Sequence, residues 1–242
     1  MLHKTRGIVF NQIKYSETSV IAKIYTELFG LQSYLIRGVR NKKSKIKPAL
    51  LQHLSLVDLV VYHKERKDIQ HIKEIISACQ FNSIPFDIKK SAIVIFLNEI
   101  LYKSIKEEEA NTELFNFLFN SIQILDLKKN RVSNFHLLFL IQLTKFLGFF
   151  PKGNFSNENI TFDLQEGIFI KSEITTEYLI GMPFSKYLFD LTNSSFEDLG
   201  SLLILPKYRN ELLITILKYY RLHLPGFSSI KSYQVLQTVF NE

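Results

Sequence analysis

At 242 residues, with 46% hydrophobic side chains and 21 Phe, the chain has enough apolar material for the cores of two modest domains. A single cysteine, Cys79, excludes an intramolecular disulfide and any cysteine-based zinc site, and suits a reducing compartment. The formal charge of +7 is segregated: residues 1–80 carry 14 Lys/Arg against 6 Asp/Glu and residues 81–242 carry 16 against 17, which points one domain at a polyanion, nucleic acid first and anionic membrane second.

The opening MLHKTRGIVFNQIKYSE lacks the apolar core of a signal peptide. The most apolar run, FHLLFLIQLTKFLGFF, is broken by Gln142, Thr144 and Lys145 well short of a membrane span, so a soluble cytoplasmic protein is expected. Five short segments of β-type composition come first: TRGIVFNQI, SVIAKIYT, LQSYLIRGV, LSLVDLVVYH and DIQHIKEII. Five strands in so short a stretch fit a small barrel, and the five-stranded barrel that binds nucleic acid on an outer face is the OB fold. Between the third and fourth strands lies RGVRNKKSKIKP, residues 37–48, with six Lys or Arg and no acid. Gly38 turns the chain there and Pro48 closes the segment, which places the charge at a barrel rim where it can follow a phosphate backbone.

Near residue 80 the spacing becomes helical. Ile93, Phe96, Leu97, Ile100 and Leu101 recur at three and four residues, and Leu114, Leu118, Ser121, Ile122 and Leu125 repeat the pattern. A third helix, about Ser133 to Leu147, is apolar nearly all round and predicts the centre of a bundle, ending at Gly148 with Pro151 beyond. Residues 151–176 are then polar and Asn-rich, with ITFDL and GIFIK on either side of Gln165 and Glu166, and read as an inserted hairpin. Ser194 and Glu197 have capping-box spacing before a short helix; Pro206 fits a helix start, continued by Leu212, Leu213, Ile216, Leu217 and Tyr220, and the bundle closes near Phe240. The expected architecture is α+β: an OB barrel over 1–80, then a helical domain over 81–242 carrying the hairpin.

KTRGIVFNQIKYSETSVIAKIYTELFGLQSYLIRGVR, with its strand, YSET turn, strand, FG turn and RGVR, resembles the bacterial recombination mediator family RecO, and the tail LPGFSSIKSYQVLQTVF is similar to that family's ending. The resemblance implies binding to single- and double-stranded DNA and strand annealing. It also implies partnership with RecR and with the C-terminal tail of single-stranded-DNA-binding protein, and indirect loading of RecA. Many members carry a four-cysteine zinc site after the central helix. Residues 151–176 here contain neither Cys nor His, so zinc is not carried over, no cofactor is expected, and the hairpin is expected to be held by Phe155, Phe162, Ile168 and Phe169.

The DNA-binding residues expected from the charge pattern are Arg37, Arg40, Lys42, Lys43, Lys45 and Lys47, extended by Arg6, Lys14 and Lys23. Tyr15, Tyr25, Tyr34 and Tyr62 are candidate base-stacking residues, at least half of them expected in the core. His3, His53, His63 and His71 read as ordinary surface histidines, Glu107, Glu108 and Glu109 as a solvated turn, and Cys79 as a buried small hydrophobe. On the helical side Lys207, Arg209, Lys218, Arg221 and His223 alternate with the α-helical Leu212 to Tyr220 set, either as a docking face for an acidic, apolar-ended tail or as a plain solvated helix face. No phosphate loop, dinucleotide fingerprint, HExxH or GxSxG motif occurs, so no catalytic residue is assigned. The competing readings are an OB-fold RNA-binding or translation-associated protein, and a non-catalytic adaptor whose basic domain touches a membrane.

Overall fold

The computed structural model describes residues 1–39, 46–65, 67–172, 174 and 176–240. They gather into two compact units, residues 1–127 and 128–242. In the first, β1 (Leu2–Lys14), β2 (Val20–Thr26), β3 (Gly30–Ile36), β4 (Leu56–Tyr62) and β5 (Ile69–Ser77) close a barrel in the order β1-β2-β3-β5-β4. Four seams are antiparallel, and the barrel is closed by a short parallel pairing of β3 with β5, Ser33–Leu35 against Ile69–His71. This is the OB fold, and all five strands lie where the β-type runs predict them.

Period-two alternation fills the interior: Val9, Ala22, Ile24, Tyr34, Ile36, Val57, Leu59 and Val61 make its core. Gly7 serves close packing, since a Cβ there would sit 2.7 Å from Ile24 Cγ2. A bulge between Val9 and Asn11 turns Phe10 outward, where it stacks on Tyr25. That aromatic pair is covered by helices of the same unit, α1 (Ile88–Ser104) and α2 (Thr112–Leu127), with Phe115 6.2 Å from Tyr25. The acidic triplet is partly structural. Its side chains are exposed, but the Glu107 carbonyl accepts from Leu31 N–H, and Gly30, at φ +60°, has no room for a side chain beneath the Glu109 carbonyl. Buried Lys90 donates to Ser83 Oγ (2.6 Å) and to the Asp126 carbonyl. The Asp126 carboxylate accepts from the backbone N–H of Asn82, Ser83 and Ile84, and these bonds hold it below its ordinary range despite desolvation, which pulls the other way.

The second unit is built on α3 (Phe135–Leu147), whose first ten residues are all buried. It ends in left-handed Gly148, as the sequence predicts. A small sheet follows: β6 (Thr161–Asp163), β7 (Ile168–Ile170) and β8 (Leu179–Ile180). Asp163 Oδ1 accepts from Gln165 and Glu166 N–H to form the hairpin turn.

Three further helices complete the unit: α4 (Phe184–Thr192), α5 (Pro206–His223) and α6 (Tyr233–Phe240). α4 has no counterpart among the expected helices, and the expected capping box is displaced. Ser194 Oγ donates back to the Asp190 carbonyl at the end of α4, and it is Ser195 that pairs with Asp198, before a single 3₁₀ turn over Asp198–Gly200 instead of an α-helix. Cys79 is half-exposed, not buried, because it follows the end of β5. No helix is long and apolar enough to cross a membrane among the described residues.

Candidate nucleic-acid interface

Because Ala22, Ile24, Tyr34 and Ile36 point into the barrel, their neighbours Ile21, Lys23, Ser33 and Leu35 face out. The register sets them in rows across three strands. Lys23 lies opposite Ser33, and Ser33 opposite Ile69; Ile21 lies opposite Leu35, Leu35 opposite His71, and His71 opposite Tyr62 at the end of β4. At the β3–β5 seam this outer face deepens into a groove of about 480 Å³, within the size range of ligand sites. Leu35, Ile46 and Ile72 supply apolar surface, Arg37, Lys64, Lys67 and Lys73 supply charge, and no acidic side chain among the described residues lines it.

Arg37 is exposed at the end of β3 and Ile46 lies where the described chain resumes, and both of these residues of the basic run line this groove. Arg40, Lys42, Lys43 and Lys45 lie outside the described residues. Lys47 is exposed just before the 3₁₀ turn Pro48–Leu51. Lys14 is exposed at the tip of the β1–β2 hairpin, opposite Val20, which itself pairs with Ile36 at the end of β3, and Lys23 is half-buried on the outer face. Arg6 stands apart. Its guanidinium forms a two-pronged pair with Glu27 (2.7 and 2.9 Å), donates to Asn116 Oδ1, and lies 4.9 Å from the Phe119 ring centre. The shared hydrogen bonds raise the Arg6 pKa and lower that of Glu27, so a phosphate would have to displace a fitted carboxylate.

Of the four tyrosines, Tyr25 and Tyr34 are buried, and burial pushes the Tyr25 hydroxyl up to about 12. Tyr15 and Tyr62 are exposed. His63 is stacked on Phe29 at 3.9 Å, and His53 Nδ1 lies 3.1 Å from the Phe10 carbonyl. Lys64, Lys67 and Lys73 form one surface that the charge pattern of the basic run does not include, and His71, expected as an ordinary surface histidine, lines it with them. The available signal was their place around the β4–β5 turn and along β5, next to β3 only through the parallel seam.

In the second unit the apolar set of α5 is turned inward, away from its cations. Leu212, Leu213, Ile216, Leu217 and Tyr220 are all buried in the bundle, while Lys218 is paired with Glu177 and the His223 ring stacks on Phe149. The hairpin does not fit zinc: it has no sulfur or imidazole, and the adjacent His223 Nε2 lies 2.9 Å from the Leu164 carbonyl. Aromatic packing holds it instead. Phe162 and Phe169 are 4.8 Å apart, with Phe155 and Phe189 against Phe169, whereas Ile168 points outward.

Residues 1–80 match the family model for the N-terminal region of recombination protein O, and residues 85–163 match the model for its C-terminal region. Over the whole of both chains the sequence is 36% identical to the DNA repair protein RecO of Azobacteroides pseudotrichonymphae and 37% identical to that of Bacteroides fragilis. It is 38% identical to the Flavobacterium psychrophilum protein of the same name, over 98% of this chain and 99% of that one.

Proposed function

The chain belongs to the RecO family of DNA repair and recombination proteins, and we propose that it acts as a non-enzymatic recombination mediator in the cytoplasm, at the nucleoid. It binds single- and double-stranded DNA through the outer face of the barrel and anneals complementary strands. The observation that carries this reading is the groove at the β3–β5 seam, lined by four cations and by no acid among the described residues, with Arg37 and Ile46 of the basic run in its wall. Strand pairing is slowed by phosphate repulsion; cationic side chains that replace condensed counterions lower that penalty for two strands held together. Binding suffices for this, and neither nucleotide hydrolysis nor a metal is required.

The same reading gives the protein RecR and the tail of single-stranded-DNA-binding protein as partners, and RecA as the beneficiary. The cleft that sets Arg209 beside Leu213, Leu236 and Phe240 among α3, α5 and α6 is only about 30 Å³, too small for a peptide as it stands, so the tail rests on family membership. The test is annealing of complementary strands coated with single-stranded-DNA-binding protein. Acceleration by the full chain is expected, and no acceleration refutes the mediator. A parallel competition among single-stranded DNA, structured RNA and anionic vesicles at one salt concentration requires DNA to win or tie.

A further inference from the structure

The seam groove contains one large side chain that no ring stack or side-chain hydrogen bond ties down among the described residues. Tyr62 closes the outward row at the end of β4 and is 47% exposed. Among the described residues its ring meets no other ring and its hydroxyl has no hydrogen-bond partner. Tyr25 and Tyr34 are fixed in the interior, and Tyr15, though 62% exposed, sits in the β1–β2 turn and does not line the groove.

The cations around Tyr62 are held in place. Gln70 is 2% exposed, and its side-chain amide grips the β4–β5 turn: Oε1 accepts from Lys64 N–H at 3.0 Å, and Nε2 donates to the Lys64 and Lys67 carbonyls at 2.8 Å each. A buried amide thus fixes the backbone from which Lys64 and Lys67 project, while neither ammonium has an ion-pair partner among the described residues. Lys73 reaches only its chain neighbour Glu74, at 3.8 Å. A free aromatic face beside unpaired, positioned cations is the pairing that single-strand sites use, because each base offers a π-face and each nucleotide a phosphate.

We propose that Tyr62 is a base-stacking platform, flanked by Arg37, Lys64, Lys67 and Lys73, which makes the β3–β5 seam take single-stranded DNA in preference to duplex. This deepens the DNA-binding reading and rests on it. In a duplex the base faces are covered by their neighbours, so Tyr62 has nothing to stack on and only the cations act. In a single strand both act together.

The full-length chain is titrated with a labelled oligo-dT and with a blunt duplex of equal length, at several salt concentrations. Tyr62→Ala lowers single-strand affinity about tenfold without changing the salt slope, and leaves duplex affinity as it was; Tyr62→Phe restores the wild-type value. Lys67→Glu weakens both ligands and flattens the single-strand slope by about 0.7. Photocrosslinking of wild-type protein to an oligonucleotide bearing 5-iodouracil marks Tyr62, a readout independent of any variant's folding. Unchanged single-strand affinity in Tyr62→Ala, an equal loss for duplex, or crosslinks confined to Tyr15 would overturn the proposal. Failure of the broader reading has a different signature: wild-type affinity that does not fall with salt, and that Lys67→Glu leaves unchanged.

Discussion

The barrel face and the helical unit both carry many cations, and they use them differently. In the second unit Lys186 pairs with Asp190 and lies over the Phe155 and Phe189 rings, Lys218 pairs with Glu177 and lies over Tyr178, and Arg131 donates to the Gly200 carbonyl. On the barrel, Arg37, Lys64 and Lys67 have no such partner among the described residues. A cation already matched to a carboxylate and a ring has little left for a phosphate, and this adds to the surplus of charge in residues 1–80, with 14 Lys/Arg against 6 Asp/Glu. Arg6 makes the point within the barrel itself, since it belongs to the basic domain by sequence and to the structural group by contact.

The comparison breaks most visibly where the second unit is held together. Phe162 is fully buried at the centre of the aromatic cluster, so Phe162→Ala is expected to cost about 3–5 kcal/mol in urea denaturation. A chelator is expected to leave the melting temperature unchanged, because the hairpin has no thiolate or imidazole. One zinc per chain by metal analysis would refute that account. On the barrel side, changing Lys42, Lys43 and Lys45 together to Glu should weaken single-strand binding by roughly thirtyfold or more and flatten the salt slope by about 2, with the melting temperature kept. Unchanged affinity would remove the run from the interface.

The Gln70 lock sharpens the contrast between positioned and unpositioned charge. Gln70→Leu leaves the Lys64 and Lys67 carbonyls without their partner and should cost about 2 kcal/mol of stability along with a several-fold loss of DNA affinity. Wild-type affinity in that variant would mean the lysines need no fixed backbone. The helical unit also has a pH signature of its own. His136 is buried, and desolvation, aided by the Arg209 charge, pushes its pKa down to about 3. The unfolded chain therefore binds a proton that the folded chain refuses between about pH 6.5 and 3. Stability is present in full above that window and falls by up to about 1.4 kcal/mol per pH unit on acidification within it. Denaturation series at pH 5 and 7 on wild type and His136→Phe read this as a slope that the variant loses. The smallest effect is expected for Lys218→Ala, where an exposed pair is lost: at most about 1 kcal/mol of stability, with DNA affinity unchanged.

Much of this was legible in the chain itself. The five strands, the segregation of charge and the basic run after the third strand follow from period-two alternation and composition, both of which survive because the strands are short and half-buried. The apolar α3 and its Gly148 stop follow as directly. Tertiary structure decided which charges and rings are available. Tyr25 and Tyr62 look alike in sequence, yet one is sealed by Phe10 and Phe115 and the other lies open. Lys64, Lys67 and Lys73 join Arg37 only because β5 closes the barrel against β3, a parallel pairing across more than thirty residues that no local pattern encodes. For the same reason α5 displays the spacing of a surface helix while burying its apolar face, since burial depends on what the rest of the chain brings against it.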